Sequence, residues 1–195
     1  VIFLSADAYG IRLSENPINR TVYESDSASI FTPSSVWKYD ELVNFYDAKG
    51  NTLNNPVLNE NDVYLPVFYV CQEAVELCDE LEKAGYDNAD FTRIKEILGN
   101  VKQSPLYSLS SKEITELTEK IFSVYKAYYK KDFPLPTEIY AKTYQGKETT
   151  LNVKGVYSFT GKSTDNRYNY LVSDEFRDKY CLKNYTSGGS VKTVY

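Results

Sequence analysis

Between Val67 and Leu81 apolar residues return every three or four positions, as Val67, Val70, Cys71, Ala74, Cys78 and Leu81. Gln72, Glu73, Glu76, Asp79 and Glu80 fall mostly on the opposite side. This is the period of a helix with one buried face. The pattern predicts a helix that opens at Pro66, whose fixed φ suits a first helical position, and stops at Gly85. Asp90 is expected to cap a second, shorter helix carrying Phe91, Ile94 and Leu98 and ending at Gly99. Ser110-Ser-Lys-Glu113 reads as a capping box. It opens a third helix whose face is Ile114, Leu117, Ile121, Val124, Tyr125 and Tyr128, and Pro134 and Pro136 close the helical region.

On either side of this block the period shortens to two. Strands are expected near Ile11–Leu13 and Thr21–Tyr23, with a turn at Asn16-Pro17; the state of the segment from Pro33 to Trp37 is open. ELVNFYDAKGNTL, residues 41–53, reads as a hairpin whose turn, Asp47–Asn51, contains Gly50. Asn54-Asn55-Pro56 breaks it, and a polar loop then leads into a short apolar strand, Val63–Leu65. After the helices, Thr137–Tyr144 and Thr149–Tyr157 alternate and are joined by Gln145-Gly146-Lys147. A loop over 158–167, a strand Tyr168–Val172 and a helix capped by Ser173 follow, with Asp174 and Glu175 in its favourable first turn. TSGGS, residues 186–190, reads as a link to a last short run, Val191–Tyr195. Strands, a block of helices and strands again imply an α+β fold. A small mixed or antiparallel sheet is packed with helices. Residues 1–85 and 136–195 would form a discontinuous core domain, with 86–135 as a helical insertion between the two halves.

Composition narrows the chemistry. The chain has 195 residues, 42% hydrophobic and 25% charged, which supports an ordered core. Its net charge of −5 disfavours nucleic acid as a partner, because phosphate binding needs a basic surface. There is no His, which removes Ser-His and Cys-His nucleophile pairs and His-ligated metals. There is also no Met, so the chain is expected to be a trimmed, soluble fragment. Val1-Ile-Phe-Leu4 is either a strand or the stub of a membrane segment. Cys71 and Cys78, seven positions apart on one helix, would be about 10 Å apart, too far for a disulfide. Cys181 could pair with either; the simpler reading is three small buried hydrophobes.

Candidate sites are few. Glu113, Glu116 and Glu119, like Glu73, Glu76 and Glu80, read as solvated helix faces rather than acid–base pairs. Asp87-Asn88-Ala89-Asp90 and Ser163-Thr164-Asp165-Asn166 lack the ligand spacing of a calcium loop. Asn19-Arg-Thr21 and Asn184-Tyr-Thr186 match the glycosylation triplet. No catalytic residue, metal ligand or cofactor site is expected. The candidate ligand-binding residues are Tyr125, Tyr128 and Tyr129, which with Lys126 and Lys130 could form an aromatic–cationic patch for a sugar or peptide. The alternative is that Tyr125 and Tyr128 extend the buried stripe and Tyr129 caps it.

Two stretches carry a resemblance. In NENDVYLPVFYVCQEAVELC, residues 59–78, a polar loop leads through a short strand ending at Leu65-Pro66 into an apolar helix. In GKETTLNVKGVYSFTGKSTDNRYNYLVSDEF, residues 146–176, a Gly turn precedes a strand with Leu151, Val153, Gly155 and Val156. A loop and a strand running into Ser-Asp-Glu-Phe come next. In this order the chain resembles the extracytoplasmic domain of FtsX-like (MacB-type) ABC transporter permeases. The resemblance spans roughly 50 residues and leaves 86–135 as an insertion. It implies a non-catalytic domain on the extracellular side of the cell membrane, coupled to transmembrane segments of the same chain and to a cytoplasmic ATPase subunit. The competing expectation is a secreted or lipid-anchored module that binds an extracellular peptide or glycan. An enzyme would need an Asp/Glu pair brought together by the fold.

Overall fold

The computed structural model describes residues 11–14, 30–31, 43–99, 109–143, 148–159 and 170–180. The expected strand at Thr21–Tyr23, the turns at Asn16-Pro17 and 145–147, the segments 1–4, 33–37, 160–167 and 186–195, Cys181 and both glycosylation triplets lie outside them. The fold is α+β. Its strands are β1 (Ile11–Ser14), β2 (Ile30–Phe31), β3 (Val43–Asp47), β4 (Thr52–Leu53), β5 (Asp62–Pro66), β6 (Glu138–Thr143), β7 (Glu148–Phe159) and β8 (Tyr170–Val172). Its helices are α1 (Phe68–Cys71), α2 (Ala74–Lys83), α3 (Ala89–Gly99), α4 (Ser111–Tyr129) and α5 (Asp174–Tyr180).

The sheet is mixed, in the order β1-β6-β7-β5-β8-β2. β7 organises it. One of its edges pairs in parallel with β5, from Asp62↔Asn152 to Pro66↔Tyr157. The other edge takes β6 antiparallel over residues 148–152 and then β3 antiparallel over 155–159. Two strands thus share one edge in succession, and β4 closes the predicted hairpin onto β3. In its turn, Asp47 Oδ1 accepts the amides of Lys49 and Asn51 at 2.8 and 2.9 Å, and Gly50 takes a φ of +81°.

Strict alternation would put Val153 and Val156 on opposite faces of β7. The structure puts Leu151, Val153 and Val156 on the same face, because the register slips between Val63↔Val153 and Tyr64↔Gly155. Lys154 is the extra residue of a β-bulge, which resets the pleat. The sheet therefore buries both sides. Val63, Leu65, Leu151, Val156 and Val172 face the helices, while Tyr64, Tyr157 and Leu171 form a smaller cluster on the opposite face with Phe45, Leu53 and Leu58.

The helices follow their apolar faces with two corrections. Pro66 is the last residue of β5 rather than the first of a helix. The Val67 amide donates to the Tyr157 carbonyl at 3.0 Å, so sheet bonding runs past the proline and the helix begins only at Phe68. The helix is also interrupted at Gln72-Glu73, yet Val70, Cys71, Ala74, Cys78 and Leu81 are all buried. The stop at Gly85 is a Schellman motif: the Tyr86 amide reaches Leu81 O and the Gly85 amide reaches Glu82 O, each at 3.0 Å. The second correction is Asp90. Asn88 caps α3, accepting the Phe91 amide at 2.7 Å. Asp90 lies inside the first turn, where its carboxylate binds Lys120 at 2.7 Å and Ser123. The capping box at Ser110 and Glu113 forms as expected. One apolar cluster joins Phe91 and Ile94 of α3, Ile114, Leu117, Ile121 and Val124 of α4, the face of α1 and α2, and the sheet.

Candidate functional site: an aromatic groove with an acidic rim

Lys130 ends α4 in the left-handed region, with φ +56°. The chain turns back there, and Phe133 is buried under the helix, its ring 5.0 Å from Tyr125 and 5.9 Å from Phe122. Between this return, the last turns of α4 and the flank of α2 lies an open groove of about 90 Å³. Its floor is Val70, Leu77, Ile121 and Phe133, and its aromatic wall is Tyr125 and Tyr129, whose rings are 4.6 Å apart. The opposite rim is Glu73, Glu76 and Glu80. Spacings of three and four bring these carboxylates to one side of the helix.

The tyrosines named from the sequence divide here. Tyr125 and Tyr129 line the groove, whereas Tyr128 turns toward Tyr86, edge to face at 4.9 Å. The lysines do not make the groove cationic. Neither Lys126 nor Lys130 lines it: Lys126 lies 3.8 Å from Asp132, Lys130 is the left-handed cap of α4, and the neighbouring Lys131 sits 5.6 Å from the Tyr129 ring centroid. The groove's charge comes from the glutamates, which read as solvated in the sequence. Their spacing along the apolar stripe was a visible signal; that the stripe's edge would face the tyrosines of another helix was not.

Electrostatics fix the donors and acceptors. Burial and a hydrogen bond to Glu80 push the Tyr129 phenol well above its usual range. Burial, with the charges of Glu73 and Glu80, raises Tyr125 as well. Both phenols stay protonated at neutral pH and face carboxylates that accept.

Several other reactive groups among the described residues have structural partners. Burial pushes the Cys71 thiol up to about 12, and it contacts Thr118 Oγ1 at 3.1 Å and Ile114 O at 3.5 Å. Arg93 clamps Glu116 at 2.6 and 2.9 Å, and Glu119 accepts the Tyr46 hydroxyl at 2.6 Å. No cluster of three His, Cys, Asp or Glu among the described residues could hold a metal ion.

A second constellation ties the two halves of the sheet. Asn59 donates to the Asp62 carboxylate through its amide and its side chain, each at 2.9 Å. The Asn152 amide reaches Asn61 O at 2.7 Å. Ser173 caps α5 by accepting the Phe176 amide at 3.0 Å while donating to Glu60 O at 3.0 Å. Lys179 pairs with Glu60 from the same helix. Compared with known proteins, the chain matches no protein-family model, no curated protein and no solved structure.

Proposed function

We propose that this chain is the extracytoplasmic domain of an FtsX-like ABC transporter permease. In this reading it is a non-catalytic unit on the extracellular side of the cell membrane. It contacts a substrate or partner and passes conformational change to transmembrane helices of its own polypeptide and to a cytoplasmic ATPase subunit. The observation that supports the reading is the meeting of the two stretches that carry the resemblance. β5 lies parallel to β7 at the centre of the sheet, β8 pairs β5 on its other edge, and the loop before β5 is held by the cap of α5. A loop–strand–helix unit, a strand with Gly155-Val-Tyr157 and a strand–helix unit thus form one block, in the order the resemblance requires. Among the described residues no helix is long and apolar enough to cross a membrane, so the reading needs membrane spans elsewhere in the polypeptide.

The test is the full reading frame and its product. Apolar spans of about 20 residues on both sides of the domain, and co-purification of the full-length protein with an ATPase subunit, are the expected results. A signal peptide before the domain and a stop codon soon after Tyr195 would overturn the proposal. That outcome would favour the second reading, a secreted or lipid-anchored module for a peptide or glycan, whose peptide form the groove supports.

A further inference from the structure

We infer that the groove between α2 and α4 is a docking site for one basic side chain, Lys or Arg, of a partner polypeptide. The inference concerns the domain alone and stands whichever reading of its setting holds.

Three features select that occupant. The floor of Val70, Leu77, Ile121 and Phe133 is apolar and suits an aliphatic stem, which Lys and Arg lay along hydrophobic surface while holding the charge at its edge. The wall is aromatic, and ring faces attract cations; Lys131 already rests over Tyr129. The rim is anionic. Glu73, Glu76 and Glu80 form no ion pair with any described Lys or Arg, whereas Glu82 of α2 and Glu116 of α4 each have one.

Competing occupants fit less well. An anionic ligand meets three carboxylates. A metal ion needs ligands that converge on a point, and these are strung along a helix flank, with no metal-holding cluster among the described residues. A neutral sugar brings no positive charge to the carboxylate rim of Glu73, Glu76 and Glu80.

The test is an amide-resolved NMR titration of the 195-residue chain with the peptide acetyl-Gly-Leu-Lys-Leu-Gly-amide and with its Arg and Glu analogues. The Lys and Arg peptides are expected to shift amides within 70–80 and 121–133 saturably, and the Glu peptide is not. Binding should weaken as salt screens the rim. The triple variant Glu73→Gln, Glu76→Gln, Glu80→Gln replaces exposed side chains and should fold with an unchanged spectrum elsewhere. It should lose about ten-fold or more in affinity. Equal response to the Glu peptide, full affinity in the triple variant, or no saturable shift at millimolar peptide would each overturn the inference. None of these results bears on the flanking membrane spans, so the two proposals fail separately.

Discussion

Gly155 of β7 lies so close to Tyr46 of β3 that a Cβ built on it would sit 1.8 Å from the Tyr46 carbonyl oxygen and 2.9 Å from backbone atoms of Asp47. Its φ of +155° is also one that side chains rarely adopt. Both constraints arise where the bulge at Lys154 resets the pleat. Because the clash is with backbone, no rotamer relieves it. Gly155→Ala is expected to cost roughly 3 kcal/mol or more, read as a fall in the urea midpoint with unchanged slope. Gly99, at the exposed end of α3, meets nothing within 4 Å. Gly99→Ala is the matched control and should be neutral or stabilising by up to about 1 kcal/mol.

Gly50 and Phe122 form a second contact of this kind. A Cβ on Gly50 would come within 2.6 Å of the Phe122 ring, so the hairpin turn is seated directly on α4. Gly50→Ala should cost about 1–3 kcal/mol, and Phe122→Ala about 3–5 kcal/mol through the cavity it leaves. The double variant relieves the clash. It should therefore be less destabilised than the two singles combined by about 1 kcal/mol, and strict additivity in denaturant unfolding would contradict the contact.

Acid should destabilise the fold through identifiable carboxylates. Lys120 and Ser123 hold Asp90 below its ordinary value, Ser110 does so for Glu113, and Arg93 for Glu116. Desolvation works against this at Asp47, but hydrogen bonds from Asn51 and Lys49 still leave it lowered. A depressed acid contributes stability that is complete above its unfolded value, 3.8 for Asp and 4.5 for Glu here, and is lost as pH falls through the folded value. Thermal midpoints should therefore be level from neutral pH to about pH 5 and decline below about pH 4. Ser110→Ala should lower stability by about 1 kcal/mol at pH 7, and the difference from wild type should narrow in acid as Glu113 protonates.

Cys71 should be chemically silent in the native state. Its side chain is fully buried and its thiol lies far above neutral, so the reactive thiolate is scarce and inaccessible. Iodoacetamide labelling at pH 8 followed by peptide mapping should leave Cys71 unmodified until denaturant is added; rapid native labelling would contradict this placement.

Local features were legible in the sequence, and features that depend on a distant partner were not. The capping box at Ser110, the turn from Asp47 to Asn51 and the stop at Gly85 each need only neighbours within a few residues, and each is present. Pro66 has the chemistry of a first helical residue, but the hydrogen bond from the next amide, Val67, to the Tyr157 carbonyl far along the chain keeps the extended form one step longer. Asp90 has the chemistry of a cap, yet Asn88 is better placed and Lys120 of another helix claims the carboxylate. The bulge left a trace in the off-period trio Leu151, Val153 and Val156 beside a glycine. The groove left half a trace: the tyrosines stood out by type, but the glutamates opposite them acquire meaning only once α2 and α4 lie side by side.

The parallel pairing of β5 with β7 also constrains how the chain is made. Its partners lie about 90 positions apart, and the ribosome delivers them in order, seconds apart at ordinary rates of synthesis. Until residues 148–157 have emerged, β5 lacks the neighbour that fills one of its edges, while α1 to α4 are already complete. The helical block can collapse early on local contacts; the central sheet must wait. In that interval the exposed edge of Val63, Tyr64 and Leu65 is open to pairing with another nascent chain.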